Sequence, residues 1–444
     1  MRTLLLICTS LTVVGQGDGP VQRSLPLSMK RAVEIALTPE GSPRVSIAME
    51  TIKQAEMRKA ESRAAFLPDI EAAINDRRQT TNLHAFGLNF PIPIPGLAFP
   101  TTVGPFNVLD ARATVSQTVF DFSTMKRYQS SKVSLDAAKD DFDATKNQVS
   151  DQVARAYLTT LRADAALETA QANVDLSQAL LTSAQNQKEA GTGTGIEVVR
   201  AQVQLANDKQ RLVVAENDRR RAGLNLLRAI GLKLDATVEA TDKLAYEATD
   251  IGHIDAALAD ARKTRAELKA QQDRESSARL TSDSVKWERL PSVGASADYG
   301  SIGSQIIGAM PTYTYGVSVR FPVFDGGRRD ARRIESLSQY RQEQTRTRDL
   351  EQQVDLDVRL AFDSIHSAAT EVAAAQEGVQ LAEQEVAQAR RRYEAGVTNS
   401  IEVTDAQTRL DRARNNRINA LYDYNVARID LATATGRIRE YVNQ

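Results

Sequence analysis

Hydrophobic residues recur in steps of three and four along two separate stretches of the chain. In 403–434 the series is interrupted at Arg417, and in 198–229 it is interrupted at Asp208 and Arg219. An average spacing of 3.5 residues is typical of the seam along which helices pack in a coiled coil. Each stretch is therefore predicted to be a long helix that packs against another helix along one apolar seam.

The two stretches belong to a duplicated unit. At an offset of 205 residues they align without a gap, so that Glu402 falls on Glu197. Self-similarity at a fixed distance indicates an internal repeat. A glycine-bearing turn precedes each helix, at 190–195 and at 395–400, and glycine commonly ends the helix before it. Each copy is therefore predicted to contain a tight helical hairpin.

Four shorter segments alternate apolar and polar residues with a period of two. They lie at 69–74, 111–119, 293–299 and 313–321. This period predicts β-strands with one apolar face and one polar face. In the second pair the apolar face carries four aromatic residues, which are Tyr299, Tyr313, Tyr315 and Phe321.

Together these patterns predict a mainly α chain with a small β part, in which long helical hairpins and two β-hairpins are internally duplicated. The predicted order is N-terminal helices at 25–67, a first β-hairpin at 68–122 with a long loop at 80–106, a first long helical hairpin at 123–231, a connector at 232–253, a helix at 254–290, a second β-hairpin at 291–325, a second long helical hairpin at 326–436 and a C-terminal tail at 437–444.

Two interpretations of the strands remain open at this point. In one, the two β-hairpins pack against helices as a small soluble sheet. In the other, their apolar faces contact lipid and their polar faces line water. A sheet in lipid must be closed, because open edges leave backbone groups unpaired, and four strands are too few to surround a pore. Several chains would then share one barrel, with the aromatic residues as an interfacial girdle.

Composition narrows the class of protein. The chain has 444 residues, of which 42% are hydrophobic, 5% aromatic and 25% charged, a profile that suits long helices. A net charge of −1 offers no broad basic surface for nucleic acid. Residues 1–17 combine a basic start, an apolar run and small residues, which predicts a secretory signal peptide. Cys8 is the one cysteine, so no disulfide can form within the chain.

No motif in the sequence predicts catalysis. The three histidines are isolated from one another, so no pair has metal-ligand spacing. We find no nucleophile elbow, phosphate-binding loop or Cys/His cluster. The sequence therefore predicts neither an enzyme nor a cofactor or metal.

Four segments of the chain carry a family resemblance. They are AAFLPDI at 64–70, VFDGGRR at 323–329, RYEAGVTNSIEVTDAQTRL at 392–410 and ATG at 434–436. Together with the duplicated layout, they resemble the TolC-like outer-membrane efflux proteins, or outer membrane factors, over nearly the whole chain after residue 25. The resemblance implies a homotrimer with a 12-stranded barrel in the outer membrane, continued by a helical tunnel through the periplasm.

The implied function is that of a passive exit duct in a tripartite efflux or type I secretion system. Its implied partners are a periplasmic adaptor, or membrane fusion protein, and an inner-membrane pump or ABC exporter. The alternative is a non-conducting periplasmic coiled-coil scaffold, in which the strands form only a soluble cap.

The resemblance also implies roles for residues near the two turns. It implies an acidic aperture at Glu402 and Asp405, which are three residues apart and so share one helix face. Three chains would place six carboxylates around one axis and favour cations. The other interpretation is a solvated pair favoured by the helix dipole.

A gate hydrogen bond is implied between Tyr393 and Glu197. The family arginine two residues after the turn glycine is replaced here by Thr398, and Arg391 or Arg392 is a candidate substitute. Adaptor docking is implied at the turns themselves, whose glycines also serve to reverse the chain. The docking residues are Ala190, Gly191, Thr192, Ala395, Gly396 and Val397.

Overall fold

The computed structural model describes residues 24–87, 101–248 and 252–443. The predicted signal peptide at 1–17, with Cys8, lies outside the described residues, as does the middle of the predicted first loop. The elements in chain order are β1 (Ser24–Leu27), α1 (Met29–Ala36), α2 (Pro43–Ala64), β2 (Asp69–Asn82), a short 3-10 helix (Leu83–Phe86), β3 (Thr102–Phe120), α3 (Phe122–Glu189), α4 (Gly195–Ala229), β4 (Thr237–Ala240), α5 (Ile254–Thr264), α6 (Ala266–Trp287), β5 (Ser292–Gly303), β6 (Met310–Arg320), α7 (Arg328–Glu394), α8 (Ser400–Ala434) and α9 (Ile438–Asn443). The predicted mainly helical chain with a small β part is confirmed.

Contacts between Cα atoms divide the chain into two units. The first comprises the described residues of Met1–Val45, Lys146–Ile254 and Arg359–Gln444, and the second comprises Ser46–Thr145 and Asp255–Val358. The second unit holds a four-stranded antiparallel sheet, and the first holds the two turns between the long helices.

The sheet has the strand order β2-β3-β5-β6, so the two predicted β-hairpins join along β3 and β5. Its register aligns Ile70 with Val115, Val115 with Ala297, and Ala297 with Tyr315, which places one apolar row across all four strands. Because side chains alternate between faces, the neighbouring positions form the polar face. β2 and β6 each pair with one strand only, so they are the two edges of the described sheet.

The polar face carries an ion-pair network near its middle. Arg112 on β3 lies 2.9 Å from Asp298 on β5 and 2.8 Å from Asp110 on its own strand. All three side chains are only partly exposed. A guanidinium shared by two carboxylates links neighbouring strands through charge-assisted hydrogen bonds.

The apolar seams are built as their spacing predicts. On α8, Val403, Ala406 and Leu410 pack against α7 near the second turn, and Ala420, Tyr424 and Ala427 form a second buried cluster with α7 further along. On α4, Val198 and Leu205 pack against Leu181 and Ala184 of α3. Small side chains at many of these positions allow the helices to approach closely.

The polar interruptions of the first seam have partners. Asp208 is 3% exposed, accepts a short hydrogen bond from the Ser177 hydroxyl, and accepts another from Gln204 at 3.0 Å. Arg219 donates to Asp164 at 2.9 Å. A buried charge is tolerated when it is paired and hydrogen-bonded, so these residues fit into the seam without breaking the helix.

Two predicted element assignments are wrong in the first unit. Residues 25–27, placed by sequence pattern in a helical region, belong to strand β1, which pairs in parallel with β4 inside the predicted connector. Pro26 and the restriction it imposes on its predecessor favour an extended backbone there. The predicted C-terminal tail contains helix α9, in which Ile438 and Val442 are buried.

Two further boundaries differ in the second unit. The predicted loop at 80–106 is too long, because the pairing of β2 with β3 continues to Asn82 and Thr102 past an irregularity between Gln79 and Thr81. The predicted single helix at 254–290 is two helices, since the backbone of Arg265 is extended. The buried guanidinium of Arg265 lies 2.7 Å from Asp357, an ion pair that the sequence pattern did not reveal.

None of the described helices combines the length and the apolar composition needed to cross a membrane as a helix.

Candidate functional site at the helical turns

Both turns between long helices have the same backbone geometry. Gly191 and Gly396 end α3 and α7 in the left-handed region, with φ of 76° and 69°. In the first turn the amide of Thr192 donates to the carbonyl of Gln187, and in the second turn the amide of Val397 donates to the carbonyl of Arg392, both at 2.9 Å. This is the Schellman arrangement, in which glycine is favoured because it has no Cβ.

The predicted docking residues all lie exposed at these turns. Val397 is 69% exposed, and two isoleucines at equivalent positions of the repeat, Ile196 and Ile401, are 55% and 44% exposed. The set Ala190, Gly191, Thr192, Ala395, Gly396 and Val397 is thus accessible in the single chain. The sequence prediction missed Ile196 and Ile401 as part of this surface, although their match in the repeat was visible.

The two equivalent glutamates have different partners. Glu197 in α4 accepts the backbone N–H of Thr194 at 3.1 Å, which caps the start of its own helix. Glu402 in α8 accepts a short hydrogen bond from the hydroxyl of Thr398, and its other carboxylate oxygen lies 3.4 Å from Nε of Arg392. The start of α8 is capped by Asn399, which accepts the N–H of Ile401 at 3.1 Å.

Glu402 and Asp405 lie in the first two turns of α8, as their spacing predicts. Asp405 is exposed, and within the described part of the chain its carboxylate has neither a hydrogen-bond nor an ion-pair partner. Glu402 is partly buried and engaged on both oxygens. The two acidic groups therefore differ in how much negative charge they present to solvent.

Tyr393 and Glu197 come together between the two hairpins. Tyr393 is 8% exposed, and burial together with the nearby Glu197 carboxylate raises the pKa of its phenol. Among the described residues, however, the Glu197 carboxylate accepts its hydrogen bond from the backbone N–H of Thr194 and not from Tyr393. The predicted gate pair is adjacent in this chain without a direct hydrogen bond.

A small cavity separates the hairpins at this level. It has a volume of about 30 Å³ and is lined by both members of that pair, together with Ser400 and Gln407. In the described chain, the Ser400 hydroxyl and both amide atoms of Gln407 have no hydrogen-bond partner. A polar cavity of this size has room for about one water molecule. No group of three or more metal-ligating side chains lies together among the described residues.

The predicted aromatic residues lie together on the apolar face of the sheet. Tyr299 pairs with Tyr313 across β5 and β6, and the rings of Tyr313 and Tyr315 stack with their centroids 6.4 Å apart. With Phe321, all four side chains are at least 65% exposed in the single chain. The apolar face is therefore uncovered and available to an apolar environment or to a neighbour.

Solved structures share this fold. The outer membrane protein VceC from Vibrio cholerae matches with a TM-score of 0.76 and 18% sequence identity, over 92% of this chain and 96% of that one. The CmeC outer membrane channel of Campylobacter jejuni matches with a TM-score of 0.77 and 14% identity, over 92% and 85% of the two chains. The fold is that of the outer-membrane channel proteins.

The chain belongs to the outer membrane efflux protein family, whose sequence pattern matches it twice, at residues 39–232 and 257–437. The double match agrees with the duplication. A curated relative, the pyoverdine export outer membrane protein OpmQ of Pseudomonas putida, is 24% identical over 399 residues, covering 87% of this chain and 81% of that protein. The family resemblance, the outer-membrane location and the role as an efflux exit duct are confirmed, and the family is one of efflux proteins rather than enzymes.

Proposed function

We propose that the protein is a homotrimeric outer-membrane duct, in which three copies of the sheet close into one 12-stranded barrel and the long helices continue the passage into the periplasm. The observation that carries this proposal is the four-stranded sheet, which has one exposed apolar face and, among the described residues, no strand paired to the outer edges of β2 and β6.

The free edges require neighbours if the apolar face contacts lipid. An unpaired backbone amide or carbonyl in hydrocarbon costs several kcal/mol, and each edge strand has a row of them. Four strands are too few to close on themselves around a pore. The simplest completion pairs β6 of one copy with β2 of the next until the ring closes, and the family resemblance sets the number of copies at three.

The aromatic positions are compatible with the apolar band of an outer-membrane barrel. Tyr313 and Phe321 are eight residues apart along β6 and just beyond it, which is about 26 Å of extended strand. At a strand tilt of about 40° this length spans about 20 Å along the membrane normal, and the apolar band of such barrels is about 25 Å tall and is flanked by aromatic girdles. Val317, midway between these two residues, is 73% exposed on the same face and would lie near the middle of the bilayer.

The turns of the helical hairpins are the proposed docking site for a periplasmic adaptor, which couples the duct to an inner-membrane pump or ABC exporter. This proposal is supported by small and apolar residues that are exposed at both turns. Gly191 and Gly396 have no neighbouring atoms on their Cβ side, and Ile196 and Ile401 are exposed at equivalent positions. Small residues let a partner approach the backbone closely, and exposed isoleucines offer it apolar area to bury.

The proposed aperture lies beside the same turns. In a trimer, Glu402 and Asp405 would supply six carboxylates around the axis, with Tyr393 and Glu197 behind them as the contact between the hairpins. Such a ring favours cations over anions. The similarity to OpmQ, whose name describes export of pyoverdine, supports a small-molecule cargo.

Single-channel recording of the purified full-length protein in planar bilayers tests the duct. We expect discrete cation-favouring conductance steps, and we expect cell fractionation to release the protein from membranes only with detergent. Val317→Lys, which places a charge on the apolar face, is the control that should insert less stably. Protein that inserts but never conducts, or that is released without detergent, would contradict the proposal.

A further inference from the structure

We infer that Arg392 and Thr398 hold Glu402 in an internal clamp, so that the cation preference of the aperture is set by Asp405 and is limited by Arg392. This inference rests on the proposed aperture and deepens it by assigning opposite roles to its two acidic residues. It also assigns a role to Thr398, which stands where the family has an arginine: its hydroxyl donates a hydrogen bond to Glu402.

The clamp occupies both oxygens of one carboxylate. The Thr398 hydroxyl donates to Oε2 of Glu402, while Nε of Arg392 lies 3.4 Å from Oε1. Arg392 belongs to the last turn of α7, and Glu402 belongs to the first turn of α8. The clamp therefore ties the two ends of one hairpin across its turn, and it needs no residue from the other hairpin.

The first copy of the repeat lacks this clamp. At the offset of 205 residues, the positions of Arg392 and Thr398 are occupied by Gln187 and Gly193. Neither of them offers a cation or a hydroxyl, and the equivalent glutamate, Glu197, instead accepts the backbone N–H of Thr194. The clamp is thus a property of the second hairpin alone, which is the hairpin that carries the aperture carboxylates.

The electrostatic consequence differs for the two acidic groups. A cation that binds Glu402 must displace Arg392 and Thr398 or share the carboxylate with them, whereas Asp405 is exposed and unpaired in the described chain. The Arg392 side chain is about half exposed, so its charge also acts through solvent on any cation at the aperture. Each chain of the trimer then contributes one negative charge that is compensated, at Glu402, and one that is not, at Asp405.

Block of single-channel current by Mg²⁺ at low ionic strength separates these roles. We expect Glu402→Gln alone to raise the half-blocking Mg²⁺ concentration by less than about twofold, and Asp405→Asn to raise it about tenfold. Arg392→Gln should lower it about fivefold. In the Arg392→Gln background, Glu402→Gln should raise it about fivefold again, because the negative charge of Glu402 is then no longer compensated by a cation.

Arg390→Gln is the matched control, because Arg390 lies two residues away on the same exposed helix end and has no ion pair among the described side chains. It should change the block by less than about twofold. Thr398→Val, which removes the hydroxyl and keeps the shape, should shift the block in the same direction as Arg392→Gln.

The same variants can be compared by Mn²⁺ binding to the detergent-solubilised protein, followed by electron paramagnetic resonance, which does not depend on conduction. The clamp is overturned if Glu402→Gln weakens block and binding as much as Asp405→Asn in the wild-type background, or if Arg392→Gln acts no differently from Arg390→Gln. The proposed aperture itself fails if neither Asp405→Asn nor Glu402→Gln in the Arg392→Gln background has any effect.

Discussion

A lysine on the apolar face of β6 should destabilise the inserted sheet, whereas the same lysine one residue later should not. Val317 pairs with Ala295 across β5 and β6 and points to the apolar face, and the next residue, Ser318, pairs with Gly294 and points to the polar face. Both positions are exposed in the single chain, so packing within the chain does not distinguish them. Only contact of the apolar face with lipid would make the two lysine variants differ.

The position of Val317 sets the size of the effect. It lies four residues from Tyr313 and four from Phe321, which places it near the bilayer midplane if those rings lie at the two interfaces. A lysine at the midplane of a barrel costs about 2–4 kcal/mol, and the cost falls to about 0–1 kcal/mol near the interfaces. With three copies in one barrel, Val317→Lys should destabilise the assembly by about 6–12 kcal/mol.

Urea titration of the protein folded into lipid vesicles measures this difference. We expect Val317→Lys to lower the free energy of unfolding by at least about 2 kcal/mol per chain and to reduce the amount of protein in the outer membrane. Ser318→Lys should remain within about 1 kcal/mol of wild type, because its side chain would lie on the water-lined face. Equal losses for the two lysines, or a neutral Val317→Lys, would refute the assignment of the apolar face to lipid.

Three further predictions concern the helical part, each measured by denaturant unfolding of the detergent-solubilised protein and followed by its helical circular dichroism. Gly396→Ala should lower the free energy of unfolding by about 1 kcal/mol, because the backbone of Gly396 is in the left-handed region. Gly378→Ala, inside α7 with open space around its Cα, should raise the free energy of unfolding by about 0.5–1 kcal/mol. Changes of the same sign in both variants would contradict this pair of predictions. Tyr424→Phe removes the 2.7 Å hydrogen bond to the carbonyl of Glu247 and should cost about 1 kcal/mol; no change would show that the bond is not formed. Asp208→Ala leaves the buried Ser177 hydroxyl without its acceptor and should cost about 3 kcal/mol, a prediction that a loss below that of Tyr424→Phe would reject.

The features that depend on periodicity could be predicted from the sequence. The 3.5-residue spacing identified the seam positions Val403, Leu410 and Tyr424, which are buried against α7. The two-residue alternation identified the apolar face that carries Tyr315. Both succeed because a side chain's direction follows directly from its place in a helix or strand. The glycine turns were also predictable, because a positive φ strongly favours glycine.

The features that depend on contacts between distant residues could not be predicted in the same way. The parallel pairing of β1 with β4 joins segments more than two hundred residues apart, and the ion pair at the helix break joins Arg265 to Asp357, 92 residues further along. Strand formation over four residues is decided by the partner strand rather than by local preference. Pro26 favours an extended backbone locally, but the sequence offered no signal for the distant partner in either case.

The candidate site contains features that the sequence predicted and features that it could not predict. The spacing of Glu402 and Asp405 predicted their shared position at the start of α8, and the repeat predicted that Glu197 is the counterpart of Glu402. Different partners for the two glutamates were not foreseen, because they depend on which side chains the two turns bring close. In the second copy, Thr398 lies before the N-cap residue Asn399 and so outside α8, and the helical spacing rule therefore did not predict its contact with Glu402.

In the proposed trimer, the sheet of one chain is completed by identical neighbours around a threefold axis. Native mass spectrometry of the protein extracted from outer membranes in mild detergent tests this arrangement. We expect a single assembly with three times the mass of the mature chain, which cysteines placed on the facing edges of β2 and β6 should lock covalently. A species with the mass of one chain, with both edges accessible to water-soluble thiol reagents, would contradict it.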